Sequence, residues 1–324
     1  MKNSRILWLL GLLAPVALVG ALLVGGSGTI WPDPRTELGR AILSLRLNRV
    51  VCGFAVGAGL AVAGAVLQAV LRNPLAEPYV LGVSSGAGLG AGLVILLGWT
   101  AYSVFALPAG AFLLAVITLA LVYTLARQHG HLSRYGLLLS GVIISSVMSS
   151  LLMLLISLAP VEGLHGVVWW LLGNLQADSG ALLMVGAALI AVALLGVLWL
   201  ARDLDALTLG PEMAHHLGVS PAIITALALG LATLLTAAAV ALSGMIGFVG
   251  LIVPHGMRGL VGPGHRRLLP ATALAGGMFL VLCDALGRTL FAPVEVPVGV
   301  VTSLLGGPFF LWLLRRRRSA SWVE

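Results

Sequence analysis

The sequence predicts an all-α, polytopic membrane protein that crosses the bilayer about ten times and forms a single transmembrane domain over residues 1–324. Hydrophobic residues make up 60% of the chain and charged residues only 9%, whereas soluble domains carry about 25% charged residues. The few charges separate long apolar runs, and 42 glycines are spread through the chain, as in helices that pack closely in lipid. This composition excludes a soluble globular protein.

The apolar runs predict individual spanning helices, because about 17–25 apolar residues cross the hydrocarbon core as a helix. The first run is longer than the apolar core of a cleaved signal peptide, about 7–15 residues, so we interpret it as a helix. The eighth is too short to cross the bilayer as a straight helix, which favours a partly re-entrant segment. The ten predicted spans are 6–24, 50–71, 80–99, 104–126, 136–158, 182–200, 223–242, 245–253, 271–286 and 298–314.

Basic residues predict the orientation, because Lys and Arg near the ends of spans stay on the cytoplasmic side. With both termini in the cytoplasm, thirteen of the 18 basic residues lie inside and five lie outside. The opposite orientation would reverse this bias. The five outside residues need another explanation, and they are Arg35, Arg40, Arg46, Arg49 and Arg288.

Small residues recur every fourth position in the second span, at Gly53, Gly57, Ala61 and Ala65. Such a row lets another helix backbone approach closely. It predicts tight helix packing within the chain.

One long motif, GAGLAVAGAVLQAVLRNPLAEPYVLGVSSGAGLGA, covers residues 57–91. Each proline disfavours helix in the residue before it, so a helix breaks near Asn73 and Pro74 and resumes after Pro78. The resulting sharp cytoplasmic turn is either a gate, formed by Asn73, Pro74 and Leu75, or a stiff loop. The residues alone leave both interpretations open.

Two further motifs lie near the end of the chain. GMIGFVGLIVPHGMRGLVGPGHRRLLP begins at Gly244 and is followed by CDALGR, and the last span carries VEVPVGVVTSLLGGPFFLWLL. Together with the first motif, these stretches resemble the permease family that serves iron–siderophore, haem and cobalamin uptake, a group of type II ABC importers. The resemblance covers nearly the whole chain from Leu45 onward.

The resemblance implies a homodimer of ten-helix subunits with the transport path at its two-fold axis, in the inner membrane of a bacterium. It also implies two ATPase subunits on the cytoplasmic face, which hold ATP and Mg²⁺, and a periplasmic substrate-binding protein. The chain itself is expected to bind no cofactor or metal, to contact membrane lipid and to have no nucleic-acid partner. A phosphate-binding loop needs a lysine after a Gly-rich turn, and the only lysine is Lys2. We therefore expect no enzymatic activity in this chain, and ATP hydrolysis in a partner subunit.

A cytoplasmic segment from Ala201 to about Pro221 is similar to the family's short helices that dock into a cleft of the ATPase. Pro211 in a first helical turn, Glu212 beside it and Gly218 at a helix end suit a short capped helix. The adjacent pair His215 and His216 does not share a helix face, which argues against a metal site. The residues assigned to ATPase coupling are Leu209, Gly210, Glu212, Ala214, Leu217, Gly218 and Val219.

Three of the five outside arginines match a pattern in the same family. Arg46 and Arg49 resemble its paired arginines at the periplasmic mouth, with Asn48 where the family usually has proline, and Arg288 matches the third. In relatives these residues bind acidic residues on the two lobes of the binding protein, so we expect them to dock that partner. Anchoring to lipid headgroups is the alternative. Asp284 precedes Arg288 by one helical turn, which predicts an ion pair on one helix face.

The transport path is expected between the fifth and last spans, which are apolar apart from hydroxyl groups. Cargo would then pass without tight binding, and specificity would reside in the binding protein, so the sequence does not say which chelate is carried. The hydroxyl residues expected along the path are Ser140, Ser145, Ser149, Thr302 and Ser303.

Two other functional classes fit the sequence less well. A secondary transporter or channel without an ATPase usually carries ionisable residues in mid-membrane, and only Asp284 is a candidate here. An intramembrane enzyme needs a clustered catalytic set, but Ser140, Ser145 and Ser146 have no His or Asp at a suitable spacing. Both classes are weaker than an ATP-driven importer of a metal chelate.

Overall fold

The structure is a computed structural model that describes residues 2–25, 31–128, 131–176 and 179–318. Short 3₁₀ helices at Pro78–Leu81 and Trp99–Ala101 and a two-residue antiparallel pair, β1 (Arg127–Gln128) with β2 (His131–Leu132), complete the regular structure of these ranges. The α helices described are α1 (Lys2–Leu23), α2 (Glu37–Val70), α3 (Val83–Leu96), α4 (Ala106–Ala126), α5 (Arg134–Leu158), α6 (Val161–Leu171), α7 (Gly180–Trp199), α8 (Ala201–Leu209), α9 (Pro211–His216), α10 (Pro221–Ser243), α11 (Val249–Val261), α12 (His265–Thr289) and α13 (Val298–Arg318).

Ten of the described α helices correspond, in the same order, to the ten predicted spans. Within the described ranges, α1, α2, α4, α5, α7, α10 and α12 are long and apolar enough to cross a membrane. The remaining three predicted spans correspond to the apolar helices α3 and α11, of 14 and 13 residues, and to the apolar stretch Val298–Leu311 of α13. The fold is thus all-helical and polytopic, as predicted.

The predicted eighth span differs from the helix that the structure places there. The sequence predicts 245–253, whereas α11 begins only at Val249 and continues to Val261. With 13 residues and a rise of about 1.5 Å per residue, α11 is about 20 Å long and does not cross a core of about 30 Å. The residues before it, 244–248, form a loop instead.

The second span begins much earlier than the sequence predicts. The structure starts α2 at Glu37, where the Thr36 side chain accepts a hydrogen bond from the Gly39 amide and caps the helix. The apolar-run criterion stops at the three arginines before Val50, although arginine is a good helix former. α2 is therefore 34 residues long, and its first turns carry Arg46 and Arg49.

The core is built around α2, which packs against α7, α10, α11 and α12. A side chain at Gly57 would overlap the Gly276 carbonyl of α12, and one at Gly64 would overlap the Gly250 backbone of α11. Only glycine allows these backbones to approach so closely. The predicted packing of the small-residue row within the chain is confirmed.

The helix bundle has two polar ends, which we name after their residues. At the α8 end lie α8, α9, the turn after α2 and the start of α12. At the arginine end lie Arg46, Arg49 and Arg288. α12 connects the two ends and is 25 residues long.

Candidate translocation and coupling sites

A buried carboxylate organises the arginine end. Asp284 Oδ1 accepts a hydrogen bond from Arg49 Nε at 2.8 Å, and Asp284 Oδ2 lies 3.0 Å from Arg288 Nε. Arg49 also donates from Nη1 to Glu295 Oε2 at 2.8 Å. The predicted ion pair between Asp284 and Arg288 is confirmed, and it is part of a larger network with Arg49 and Glu295.

Two of the arginines hold the end of α1. Arg46 Nη1 donates to the Leu22 carbonyl at 3.0 Å, and Arg288 donates to the carbonyls of Val24 (3.0 Å) and Ala21 (3.3 Å). Helix ends leave carbonyls without helical partners, and positive charge is favourable there. Arg46 and Arg288 are 5% and 3% exposed, so in this conformation both guanidinium groups are used inside the subunit.

An outer cavity of about 430 Å³ opens beside this network. Asn174 accepts through Oδ1 from the Gln176 amide, and Gln176 Nε2 lies 3.5 Å from Glu295 Oε2. The side chains that define the cavity are Arg49, Trp169, Asn174, Gln176, Glu295 and Pro297. The lining therefore combines an ion pair, two amides and an aromatic ring.

An inner cavity of about 490 Å³ lies next along α13. It is more apolar than the outer one and is defined mainly by Tyr79, Leu172, Met245, Gly247, Ser303 and Leu304. Between the two cavities Gly299 abuts the carbonyls of Leu172 and Met245 so closely that a side chain there would overlap them. The two cavities thus follow one another along the start of α13, separated by this contact with α6.

The structure separates the hydroxyl residues expected along the path. Ser303 is exposed and lines the inner cavity, while Thr302 is fully buried and donates to the Gly299 carbonyl at 3.1 Å. On α5, Ser149 is exposed, and Ser140 and Ser145 are half-buried. Only Ser303 of the predicted set therefore meets the inner cavity directly.

The turn after α2 is tightly built. Arg72 has a left-handed φ of +47°, and the Asn73 side chain accepts from the Leu75 amide at 3.0 Å, a local turn typical of asparagine. Arg72 donates from Nε and Nη2 to the Leu207 carbonyl of α8, at 3.2 and 3.0 Å. Asn73, Pro74 and Leu75 are half-buried, and the turn they form is fastened to α8.

The predicted capped cytoplasmic segment forms two short helices, α8 and α9. Pro211 and Glu212 open α9, as predicted, and Gly218 follows it with a left-handed φ of +79°. Of the predicted coupling residues, Ala214 is buried and Leu209 and Leu217 are exposed, as is Met213, to which the sequence assigned no role. The remaining predicted coupling residues divide in the same way: Gly210 is buried, Val219 is half-buried, and Glu212 and Gly218 are exposed.

A second polar contact fastens α8 to the bundle. Asp205 Oδ1 accepts from the His265 amide at 2.9 Å and lies 2.6 Å from His265 Nδ1. The Asp205 carboxylate therefore sits at the N-terminus of α12, where negative charge is favourable. Sequence reasoning missed this pair, because the two residues are 60 positions apart.

Comparison with known proteins identifies the family. The profile of the FecCD transport family matches residues 8–316. The chain belongs to the FecCD transport family. The permease family predicted from the three motifs is confirmed.

Individual relatives extend this result. The chain is 43% identical over 281 residues to the hemin transport system permease protein HmuU of Yersinia pestis, covering 85% of this chain and 83% of the relative. It is 42% identical over 274 residues to the cobalamin import system permease protein BtuC of Halobacterium salinarum, covering 85% and 73%. It is 40% identical over 277 residues to the Fe(3+) dicitrate transport system permease protein FecD of Escherichia coli, covering 86% of each.

A solved structure shows the same architecture. A metal-chelate type ABC transporter in an inward-facing conformation matches with a TM-score of 0.86 and 35% identity, covering 97% of this chain and 99% of that one. This FecCD chain is therefore a multi-pass membrane permease of the ABC importer class.

Three charged residues that make long-range contacts received no role from the sequence. Glu295 belongs to the last motif and contacts Arg49, 246 positions away. Arg72 and Asp205 fasten α8 to the bundle. For Glu295, the signal that could have indicated a role is a charge in otherwise apolar surroundings. Asp205 lies in the charged segment ARDLDALTL, where one more carboxylate does not stand out.

Proposed function

We propose that this chain is the permease subunit of a bacterial importer that moves a metal chelate, such as an iron–siderophore complex, haem or cobalamin, across the inner membrane. Separate ATPase subunits supply the energy. The observation that carries the proposal is the similar identity, 43%, 42% and 40%, to permeases named for hemin, cobalamin and Fe(3+) dicitrate. Equal similarity to three cargo types supports the class of cargo and favours no single chelate.

The exposed apolar side chains of α8 and α9 support a docking role toward the ATPase. Leu209, Met213 and Leu217 are 65%, 51% and 58% exposed, beside a carboxylate at Glu212. Apolar residues rimmed by polar ones mark protein–protein contact sites. We assign the α8 end to the cytoplasm, as the distribution of basic residues also predicts.

The arginine end then faces the periplasm and the binding protein. Arg46 and Arg288 now bond to the carbonyls that end α1, so docking through them requires acidic residues of the partner to replace those carbonyls. Arg49 borders the outer cavity and is the more accessible of the three. Burial of Arg46 and Arg288 counts against the alternative that they anchor to lipid headgroups.

A second copy of the chain would complete the path. α5 exposes a stripe of large apolar residues, and Leu304 and Leu311 of α13 are exposed as well. In a homodimer these helices would enclose the two cavities along α13 at the two-fold axis. The chelate would pass from the polar outer cavity to the more apolar inner one without a dedicated set of ligands.

The proposal is tested by a cargo panel. The permease, its ATPase and its binding protein are reconstituted in proteoliposomes, with the binding protein outside, and offered ferric siderophore, haem, cobalamin and, as control, an amino acid. Uptake of one or more chelates and none of the amino acid is expected. Equal uptake of the amino acid, or uptake of the amino acid alone, would refute the proposed cargo class.

A further inference from the structure

A buried polar contact joins two loops that lie far apart in the sequence. The Glu77 carboxylate accepts a hydrogen bond from the Phe248 amide. The Tyr79 hydroxyl accepts from the Ile246 amide at 2.7 Å and is 2.8 Å from the Ile246 carbonyl, to which it donates. Two side chains of the segment 77–79 thus hold three backbone groups of the loop 244–248, which connects α10 and α11. We call these three hydrogen bonds the latch.

The held loop has a conformation that needs support. Phe248 has a left-handed φ of +68°, which is sterically disfavoured for a bulky residue. It is also the residue that precedes α11, where the first amides lack helical acceptors. Burial raises the pKa of the Glu77 carboxyl, while the hydrogen bond from Phe248 lowers it. Charged or neutral, the carboxyl retains an oxygen that can accept from this amide.

The same loop forms a wall of the inner cavity. Met245 and Gly247 line that cavity. The Phe248 ring lies against Gly306 of α13 so closely that a side chain at Gly306 would overlap it, and the Met245 carbonyl abuts Gly299 in the same way. A shift of the loop would therefore move groups at the wall of the cavity and against α13.

The other end of the latch leads to α8. Glu77 and Tyr79 follow the turn at Asn73 within a few residues, and Arg72 at the start of that turn donates to the Leu207 carbonyl of α8. The segment 72–79 is thus fastened to α8 at one end and to the loop 244–248 at the other.

We propose that Glu77 and Tyr79 are positioning residues that fix the loop 244–248, and that the segment 72–79 transmits displacement of α8 to the inner cavity. The first half concerns the subunit alone. The second half rests on the proposed function, because the displacement of α8 would come from the ATPase.

The first half is tested on the full-length permease in lipid nanodiscs. Ser303→Cys supplies a thiol in the inner cavity, and its labelling rate by a polar maleimide is measured in parent, Tyr79→Phe, Glu77→Ala and Glu77→Gln backgrounds. Tyr102→Phe, at an exposed tyrosine, is the matched control. Loss of a latch bond should change the rate about two- to tenfold, the effect of one net hydrogen bond, whereas Tyr102→Phe and Glu77→Gln stay near the parent.

A labelling rate equal to that of the parent in both Tyr79→Phe and Glu77→Ala would show that the latch does not fix the loop 244–248. The Glu77→Gln variant separates loss of the latch from a general loss of folding. It keeps the acceptor oxygen and should therefore label at the parent rate, whereas general instability at this position would change the rate in both Glu77 variants. Size-exclusion elution of each variant is compared with that of Tyr102→Phe.

The second half is tested in the complete transporter by the ratio of chelate imported to ATP hydrolysed. Tyr79→Phe should lower this ratio while ATP hydrolysis continues, and Glu77→Gln should keep it. A parent-like ratio in Tyr79→Phe would overturn transmission through 72–79. If the parent itself neither binds an ATPase nor imports a chelate, the proposed function is wrong, and the labelling result in nanodiscs still decides the latch.

Discussion

Asp284 of α12 bridges two arginines from different parts of the chain, with Oδ1 2.8 Å from Arg49 Nε and Oδ2 3.0 Å from Arg288 Nε. Asp284 and Arg288 are both 3% exposed. Buried charges are tolerated only when they are paired and hydrogen-bonded. The pairing therefore ties the start of α2 to the end of α12 and allows three arginines to lie together at one end of the bundle.

Asp284→Asn should destabilise the permease strongly. The substitution removes the carboxylate that the buried Arg288 guanidinium faces, and breaking a buried ion pair in this way costs about 3–5 kcal/mol. We expect a clear fall in the midpoint of thermal unfolding in detergent. Glu37→Gln, at an exposed acid in the first turn of α2, is the control and should cost at most about 1 kcal/mol. Equal midpoints for the two variants would show that the network does not stabilise the fold.

Arg46→Gln should loosen the end of α1. A hydrogen bond from a charged donor is worth about 1.5–3 kcal/mol, so amide exchange in the last turn, at Ala21 to Val24, should accelerate about tenfold or more. Hydrogen–deuterium exchange with mass spectrometry measures this. Arg40→Gln, at an exposed arginine of the same helix, should leave exchange there unchanged. If both variants exchange alike, Arg46 does not hold α1.

The sequence predicted those contacts that are local and missed those that are distant. Asp284 and Arg288 are one helical turn apart, so their pairing follows from spacing alone. Arg49 is 235 positions from Asp284 and 246 from Glu295, and only the tertiary fold brings them together. The helix α6 was missed for a related reason, since its 11 residues are too few for a span and its packing is set by α3.

The same division between local and distant contacts holds for the candidate site. The short capped helix that begins at Pro211 follows from proline, acid and glycine positions that act locally. The depth of Thr302 inside the packing, next to the exposed Ser303, depends on how α13 is rotated about its axis. That rotation is fixed by the contact of Gly299 with α6 and the 244–248 loop, which the sequence does not reveal.

Gly218→Trp should block attachment of the ATPase without unfolding the permease. A β-carbon at Gly218 would meet no atom within 4 Å, so we expect the bulk of a Trp side chain there to act on a partner. The left-handed φ of +79° adds backbone strain, and Gly218→Ala carries that strain without the bulk. We expect loss of co-purified ATPase with Trp and retention with Ala. The control Gly180→Trp, at another glycine with open space beside it, should bind the ATPase normally. Normal ATPase binding by Gly218→Trp would show that this segment is not part of the interface.

Single-cysteine labels should establish the orientation. Ser103 and Thr208 are both exposed, and the basic-residue distribution places Ser103 in the periplasm and Thr208 in the cytoplasm. In intact spheroplasts, an impermeant maleimide should label Ser103→Cys only. After lysis it should label both Ser103→Cys and Thr208→Cys. The predicted topology offers three further labelling positions, Ser133 and Ala206 in the cytoplasm and Ala177 in the periplasm. Ser133 would test the cytoplasmic side again, whereas Ala206 is buried and Ala177 lies outside the described residues. Labelling of Thr208→Cys in intact spheroplasts would show that the topology is the reverse of the predicted one.

The energy source of uptake tests most directly whether this chain works as part of an ATP-driven importer. Proteoliposomes that contain the permease and its ATPase, with ATP inside and the binding protein with its chelate outside, are compared with vesicles that hold an ion gradient and no ATP. We expect uptake with ATP, and we expect it to disappear when either the ATPase or the binding protein is omitted. Gly218→Trp should abolish it as well. Uptake driven by the ion gradient without ATP or ATPase would contradict the account and identify the chain as a secondary transporter.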